Sequence, residues 1–189
     1  MSNRTETCYF TFGRFNPPTI GHYKLLERLV SESGADDVMI FPTKTVDKTK
    51  NPLRFRSKVN WMKRSYPEMK DYIVGDEECC RTIITTCQHM MMLDYKRIVM
   101  VVGQDRVTEF DTLLQKRNRT DDFAFDKIEV VSAGLRDPDK EGAEGMSASK
   151  MRDAAKAGDS SGFREGTSRN MKPSMKIRMM KEVRKGLGL

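Results

Sequence analysis

Ten residues near the amino terminus, Gly13 to His22 (GRFNPPTIGH), have the types and spacing of a phosphate-binding loop. They begin where a short apolar segment ends and finish in the first turn of a predicted helix. A glycine lets the backbone approach a phosphate closely, and a helix N-terminus offers N–H groups and the positive end of a dipole. Thr19 is the expected N-cap, and His22 falls in the first turn, pointing at whatever binds there. The segment predicts a site for an anionic ligand.

A second segment, Gly145 to Arg152 (GMSASKMR), predicts another anion site. Its hydroxyl groups stand at the start of a predicted helix, and a lysine and an arginine follow in the first turn. Both segments supply phosphate contacts and cations, and neither contains an activated nucleophile. The chemistry they favour is the positioning of phosphate groups and the stabilisation of their charge.

Strands and helices alternate along the chain that must position these segments. Short apolar runs predict five strands, and helical periodicity predicts helices between them. The strands are Cys8–Phe12, Asp37–Phe41, Asp71–Val74, Arg97–Val102 and Lys127–Val131; the helices are Thr19–Val30, Leu53–Ser65, Glu77–Leu93, Val107–Gln115 and Ser147–Ala157. The alternation predicts an α/β fold, a doubly wound parallel five-stranded sheet with helices on both faces. Ligands bind such sheets at the carboxyl ends of the strands, where both segments would lie.

The length of 189 residues is that of one domain. We expect residues 1–157 to form the ligand-binding domain. Residues 158–170 are polar and rich in Gly and Ser, which predicts a linker, and residues 171–189 predict a basic amphipathic tail helix.

The net charge of +7 is concentrated in two islands. Residues 44–64 contain eight basic side chains against one acidic, and residues 171–189 contain six against one. Such islands favour anionic ligands, or are simply solvated faces.

The sequence also indicates where the protein works. No apolar run approaches the roughly 18 residues of a membrane span, and the first ten residues lack a signal pattern. We expect a cytoplasmic protein that binds no membrane. The cysteines (Cys8, Cys79, Cys80 and Cys87) are expected to be reduced, because adjacent cysteines are a poor disulfide frame. Cys87 and His89 are two positions apart, a spacing that does not place them on one face of a helix. We therefore expect no metal ligands on the protein.

Together the two segments resemble the motifs of the nucleotidylyltransferase superfamily, the HxGH enzymes related to class I aminoacyl-tRNA synthetases. The first matches G-x-F-x-P-x-[HT]-x-G-H at every fixed position, and the second follows the late I-S-S-T-x-I-R motif, with Ala148 in place of one serine. The resemblance covers residues 7–157 and implies a Rossmann-like fold. It implies transfer of an NMP unit from an NTP to a small phosphorylated acceptor, with release of pyrophosphate.

The closer resemblances differ between parts of the motif. At position 19 the motif resembles that of pantetheine-phosphate adenylyltransferases, because it has Thr19. Its start resembles that of archaeal-type nicotinamide-nucleotide adenylyltransferases, because it reads Gly13-Arg14-Phe15 with an amide at Asn16. The whole resembles small stand-alone proteins of tailed phages, in particular at VGQDR (102–106) and VSAGLRDPD (131–139), which would place it in the host cytoplasm.

The resemblance also implies roles for single residues. The catalytic set would be His22 at the α/β-phosphates, Thr19 and Lys44 at the acceptor phosphate, and Arg152 at the β/γ-phosphates. The nucleotide would lie along Gly13, Arg14, Phe15, Asn16, Gly21, Gly103, Asp105, Arg106, Met146, Ser147 and Ser149. Mg²⁺ would be carried by the triphosphate, because it usually keeps its waters and few protein ligands.

Substrate and assembly stay open at this point. ATP and nicotinamide mononucleotide are the first expectation, which would make the product NAD; a cytidylyltransferase or a phosphopantetheine-type adenylyltransferase is the alternative. Members of the superfamily are commonly homo-oligomers, so we expect one here. A different class, a nucleic-acid or assembly-binding protein that keeps a nucleotide fold, would use the two basic islands to neutralise phosphates.

Overall fold

The computed structural model describes residues 5–134 and 146–189. Its strands are β1 (Thr7–Gly13), β2 (Asp37–Pro42), β3 (Arg97–Val102) and β4 (Lys127–Ser132). Its α-helices are α1 (Ile20–Ser33), α2 (Phe55–Ser65), α3 (Ile83–Met92), α4 (Val107–Arg117), α5 (Ala148–Ala157), α6 (Ser160–Glu165) and α7 (Pro173–Leu187). Short 3₁₀ helices span Pro67–Tyr72 and Gln104–Arg106. The chain forms two compact units, which we call the sheet unit and the helical unit.

The sheet unit comprises Met1–Phe12, Leu25–Phe41 and Asp76–Arg136. Its four strands lie in the order β2-β1-β3-β4. β3 pairs in parallel with both β1 and β4, so that Ile98 lies opposite Cys8 on one side and Ile128 on the other. All three residues are buried. Such near-continuous apolar strands are typical of a parallel sheet.

The helical unit comprises Gly13–Lys24, Pro42–Gly75 and Asp137–Leu189. Its core joins apolar side chains of α2, α5, α6 and α7 with their connecting segments: Leu53, Trp61, Met151, Ala155, Phe163, Met171, Met179, Met180 and Val183. The methionines that dominate this core adapt their unbranched side chains to irregular gaps.

The predicted α/β fold with a parallel sheet is confirmed, but the sheet has four strands among the described residues instead of five. The first two residues of the expected strand Asp71–Val74 belong instead to the 3₁₀ helix Pro67–Tyr72, and the other two follow it outside the four strands of the sheet. Pro67 stands at the start of this helix, where a missing N–H costs nothing. The preference of Pro67 for a helix start thus decides the local structure, and the weak apolar run does not form the expected strand.

Two other segments differ from expectation. The helix predicted from Glu77 begins at Ile83, because Thr82 and Thr85 form a capping box that starts α3 there. Within the predicted linker, residues 160–165 form α6, since the Asp159 side chain accepts the N–H groups of Ser161 and Gly162. A boundary after residue 157, and helices on both faces of the sheet, stay predictions.

The cysteines follow the expectation in part. Cys8 and Cys87 are buried and take no part in a disulfide. Cys79 and Cys80 are joined in a disulfide, where reduced thiols were expected. Cys80 has φ of 62°, which turns the chain between the two adjacent residues. None of the helices in the described ranges has the length and apolarity required to cross a bilayer.

Candidate active site

Thr19 and His22 contact each other at the N-terminus of α1, within the helical unit. The Thr19 hydroxyl accepts the backbone N–H of His22 at 3.2 Å, which is the cap expected from the sequence. In return, the backbone N–H of Thr19 donates to Nδ1 of His22 at 3.0 Å. The Thr19 side chain is 1% exposed. Its hydroxyl therefore serves the helix start.

These contacts determine which nitrogen of His22 carries the proton. A backbone N–H can only donate, so this contact assigns Nδ1 as the accepting nitrogen, and the Thr19 hydroxyl, 3.1 Å from Nδ1, then donates to it as well. A neutral imidazole then has its proton on Nε2, which makes Nε2 a hydrogen-bond donor. A protonated ring would place an N–H at Nδ1 against the N–H of Thr19. The geometry therefore presents His22 as a neutral donor, the form that suits a phosphoryl oxygen.

Phe15 packs against the His22 ring. The two ring centroids are 5.0 Å apart, and Phe15 is only 2% exposed. Its φ of 46° lies in a region that bulky residues rarely adopt and that tends to occur at functional sites. A Cβ on Gly13 would lie 3.0 Å from the Phe15 ring. Gly13 thus makes room for the ring that orients His22.

Asn16 connects the loop to the segment before α2. Its Nδ2 donates to the Leu53 carbonyl at 3.2 Å, and its Oδ1 accepts the Leu53 N–H at 3.0 Å. The carbonyl oxygen of Asn16 accepts a hydrogen bond from Nη1 of Arg152 at 2.9 Å. Asn16 is 1% exposed, so its amide fixes the loop while its carbonyl orients Arg152.

Arg152 and Arg14 bring two positive charges to this loop. Arg14 is exposed and Arg152 is partly buried. Burial, and after it the positive charge of Arg14, lower the pKa of Arg152, while Asp153 and Asp47 act in the opposite direction. Repulsion between two neighbouring guanidinium groups is relieved when an anion binds between or beside them. The first motif and the last residue of the second thus meet as an anion site.

Asp47 shapes the chain that leads to Leu53. Its Oδ1 accepts the backbone N–H groups of Thr49 at 2.8 Å, Lys50 at 2.6 Å and Asn51 at 3.2 Å. Hydrogen bonds from the Asn51 side chain and then from Thr49 and Lys50 hold the pKa of Asp47 well below its usual range. The carboxylate stays ionised and keeps this loop closed on itself.

The rest of the second motif begins α5. The Ser147 hydroxyl accepts the Lys150 N–H at 3.0 Å and so caps the helix. Ser149 is exposed in the first turn, whereas Met146 packs against the core of the helical unit. Gly145, and residues 135–139 of the phrase VSAGLRDPD, lie outside the described residues.

Lys58, which the sequence analysis did not single out, supports the segment that follows β2. Its side chain is fully buried, and its Nζ donates to the carbonyl of Thr43 and lies 3.4 Å from the Thr43 hydroxyl. Thr43 in turn donates its N–H to the Gly13 carbonyl at 2.8 Å. Lys44, the next residue, places its ammonium 4.9 Å from the Phe55 ring centroid. Lys58 therefore holds the backbone beside Lys44 and Gly13.

Two further contacts hold the start of α1. The buried Tyr66 donates its hydroxyl to the Thr19 carbonyl at 2.7 Å. The Gly166 carbonyl accepts the Ile20 N–H at 2.9 Å. Neither residue belongs to a motif, and no sequence signal distinguishes them. Lys58 was hidden among eight basic residues, although a lysine at an inward position of a helical pattern is a usable signal.

The other predicted residues are less closely tied to these contacts. Gly21 is partly exposed in the first turn of α1. Gly103, Asp105 and Arg106 belong to the sheet unit, directly after β3. Asp105 Oδ1 would lie 2.8 Å from a Cβ on Gly103, and Arg106 pairs with Glu109 at 2.9 Å. Gly103 therefore gives the Asp105 carboxylate its space.

The side chains brought together in the helical unit are ones that can bind phosphate groups. It combines a neutral histidine donor, two guanidinium groups and two capped helix starts. The one group of three or more His, Cys, Asp or Glu ligands close enough for a metal, within the described part of the chain, lies in the sheet unit. A Mg²⁺ ion bound by phosphate oxygens and water stays a prediction.

Comparison with known proteins agrees with this chemistry. Over 114 residues the chain is 30% identical to a protein of Sulfurimonas denitrificans described as a probable nicotinate-nucleotide adenylyltransferase. The match covers 55% of this chain and 59% of that protein, so the chain spans less than two thirds of its relative. Residues 10–154, which include both motifs, match the cytidylyltransferase-like family. The chain therefore belongs to the cytidylyltransferase-like family, within the nucleotidylyltransferase superfamily.

Proposed function

We propose that the protein transfers an NMP unit from an NTP to a small phosphorylated acceptor and releases pyrophosphate. The observation that carries this proposal is the hydrogen bond from the Thr19 N–H to Nδ1 of His22, which leaves Nε2–H as the donor. Family membership and the meeting of Arg152 with the first motif support the same reaction.

The acceptor phosphate attacks the α-phosphorus in line, and the pyrophosphate oxygen leaves with the bonding electron pair. Nε2–H of His22 donates to an α-phosphoryl oxygen and stabilises the charge that grows there. Arg152 and Arg14 hold the β/γ-phosphates, with Ser149 at the start of α5. Lys44 binds the acceptor phosphate, for which Thr19 stays a predicted partner. Mg²⁺ bound to the triphosphate supplies further charge neutralisation.

The proposed donor is ATP and the proposed acceptor is a pyridine mononucleotide, nicotinate or nicotinamide mononucleotide. The name of the Sulfurimonas relative supports a nicotinate nucleotide, and the GRF start of the first motif supports the nicotinamide form. CTP as the donor, or phosphopantetheine as the acceptor, is the alternative. Gly103, Asp105 and Arg106 stay predicted contacts of the nucleotide.

The test is Mg²⁺-dependent pyrophosphate release with each of four NTPs against a panel of acceptors. The panel contains both pyridine mononucleotides, phosphopantetheine, and choline and glycerol phosphates. We expect one productive pair, ATP with a pyridine mononucleotide. Release that needs no acceptor, or an empty matrix with no NTP binding in calorimetry, would contradict the proposal.

Two substitutions distinguish the role of Nδ1 of His22 as an acceptor from the role of Nε2 as a donor. His22→Asn keeps an acceptor near the Nδ1 position and loses the Nε2 donor, so we expect a normally folded protein with kcat lowered by about 10²–10³-fold. His22→Gln places an amide donor near Nε2 and should retain more activity than the asparagine variant. Glu27→Ala, at an exposed position on the same helix, is the control. Equal activity of the Asn and Gln variants would remove the donor role from His22.

A further inference from the structure

Three zinc-type ligands lie together in the sheet unit, in residues that the proposed reaction does not use. The sulfur atoms of Cys79 and Cys80 and a ring nitrogen of His89 all lie within 4.8 Å of one another. Cys80 is buried, and the other two are partly buried. Sulfur and imidazole nitrogen are the ligands that Zn²⁺ prefers in proteins.

The local backbone brings the two sulfurs to the same side. Adjacent side chains of an extended chain point in opposite directions, which would separate them. Cys80 instead has φ of 62°, a left-handed conformation that non-glycine residues rarely adopt. Unusual backbone of this kind is retained where the surroundings require it, often at functional sites.

His89 is held in place on the helix that follows. α3 starts at a defined position because Thr82 and Thr85 form its capping box. The His89 ring meets the Phe41 ring edge to face, with centroids 6.4 Å apart and planes at 84°. Packing against a buried phenylalanine restricts the rotation of the imidazole. The third ligand is thus fixed by packing and faces the cysteine turn.

The spacing suits one small cation. Two ligand atoms bound to the same tetrahedral Zn²⁺, at about 2.3 Å for sulfur and about 2.0 Å for nitrogen, are about 3.5–3.8 Å apart. All three ligand atoms lie within 4.8 Å of one another, so we expect them to reach this spacing once the bond between the sulfurs is opened. Three protein ligands leave the fourth position of the tetrahedron for water or another small ligand.

We propose that Cys79, Cys80 and His89 form a binding site for a thiophilic divalent cation, represented by Zn²⁺, when the two cysteines are reduced. A phosphine supplies two electrons and becomes its oxide with the oxygen of one water molecule, whose two protons complete the two thiols; a dithiol gives two electrons and two protons and becomes a disulfide. The cation then displaces both thiol protons, and neutral His89 donates its nitrogen lone pair. This inference does not rest on the proposed transferase activity.

The test compares one preparation of the full chain in two redox states. The chain is incubated with a phosphine, the phosphine is removed under argon, and Zn²⁺ is titrated against a chromophoric chelator; Co²⁺ is titrated separately. We expect one Zn²⁺ per reduced chain, and with Co²⁺ the thiolate charge-transfer band and visible bands of a tetrahedral site. The disulfide form of the same chain should bind more weakly by more than about 100-fold, because it offers no thiolate.

Variants identify the ligands. Cys80→Ser and His89→Ala should each weaken Zn²⁺ binding, and Cys80→Ser should also weaken the charge-transfer band. Cys87→Ala, which removes a buried free thiol of the same helix, is the matched control and should leave both unchanged. Failure of the reduced chain to bind Zn²⁺ stoichiometrically would overturn the site. So would binding that survives in the Cys79→Ser/Cys80→Ser double variant or in the disulfide form.

Discussion

Lys58 is a buried cation, and its charge has a measurable effect on stability. Burial lowers the pKa of Lys58 from about 10.5 to about 8. The unfolded chain therefore binds more protons than the folded chain between these two values, and stability rises with pH across this window. Below about pH 8 the folded protein carries the full cost of the buried charge. Relief of that cost is worth up to about 3 kcal/mol.

We expect Lys58→Met to abolish this rise. The free energy of unfolding is measured by urea denaturation at several pH values from 7 to 10, for both proteins. Burial raises the pKa values of Cys87 and Tyr66, so these groups contribute to the pH dependence of stability with the opposite sign. Both proteins contain them, and the difference between the two proteins therefore removes their contributions. If both proteins have the same pH slope, the Lys58 amine is not the group that titrates. Lys63→Met, at an exposed position of α2, is the control.

At the scale of single residues, the sequence predicts which side chains matter better than it predicts what they do. The motif places Thr19 and His22 correctly at a helix start. The protonated nitrogen of His22 depends on the Thr19 backbone, which no spacing rule describes. Asn16 has the residue type of a ligand, yet its amide binds Leu53, 37 positions away. Pairings of this range follow only from the folded chain.

At the scale of elements, α7 is joined to α2 by hydrogen bonds and by one very close backbone approach. Trp61 of α2 donates its indole N–H to Glu182 of α7 at 2.7 Å, and Ser57 donates to the same carboxylate. Gly186 approaches the backbone before α2 so closely that a Cβ there would lie 2.0 Å from the Pro52 carbonyl oxygen. A backbone neighbour cannot rotate away as a side chain would.

We therefore expect Gly186→Ala to destabilise the protein by about 1–3 kcal/mol, although alanine is the better helix former. Differential scanning calorimetry would show this as a lower Tm. Lys185→Ala, the exposed neighbour on the same helix, should change Tm little. An unchanged or higher Tm for Gly186→Ala would mean that α7 does not pack against Pro52 in solution.

Helical periodicity also shows what local pattern can and cannot predict. It places α1, α2, α4 and α5 within a few residues, because their apolar faces repeat strongly. It fails at Ile83, where a cap decides the start of α3, and a short apolar run likewise failed as a strand signal at Asp71–Val74, after Pro67. It predicts a helix near Pro173–Leu187, but the partner of its apolar face is a matter of tertiary structure, and composition alone suggested a linker before it.

For the whole molecule, some cations of the two basic islands contact other residues of the helical unit. Lys58 is buried, and Lys44 lies over Phe55. In the tail, Arg184 donates Nη1 to the Ala155 carbonyl and to the Lys156 carbonyl, the latter at 3.3 Å. Lys58 and Arg184 thus support the helical unit, whereas most of the other basic side chains of the islands are exposed.

The same contacts predict the effect of removing the tail. A linker and tail helix outside the domain could be deleted at no cost, whereas α7 supplies three buried residues, Met179, Met180 and Val183, to the core of the helical unit. Each is worth about 1.5–3 kcal/mol of burial, and a domain has only about 5–15 kcal/mol in total. Deletion of 171–189 should therefore unfold the helical unit, which holds Thr19, His22 and Arg152. We expect loss of cooperative thermal unfolding and of pyrophosphate release.

Deletion of Gly188 and Leu189 alone is the control, because both are exposed. If the longer deletion keeps its Tm and activity, α7 is an independent tail and the core assigned to it is wrong.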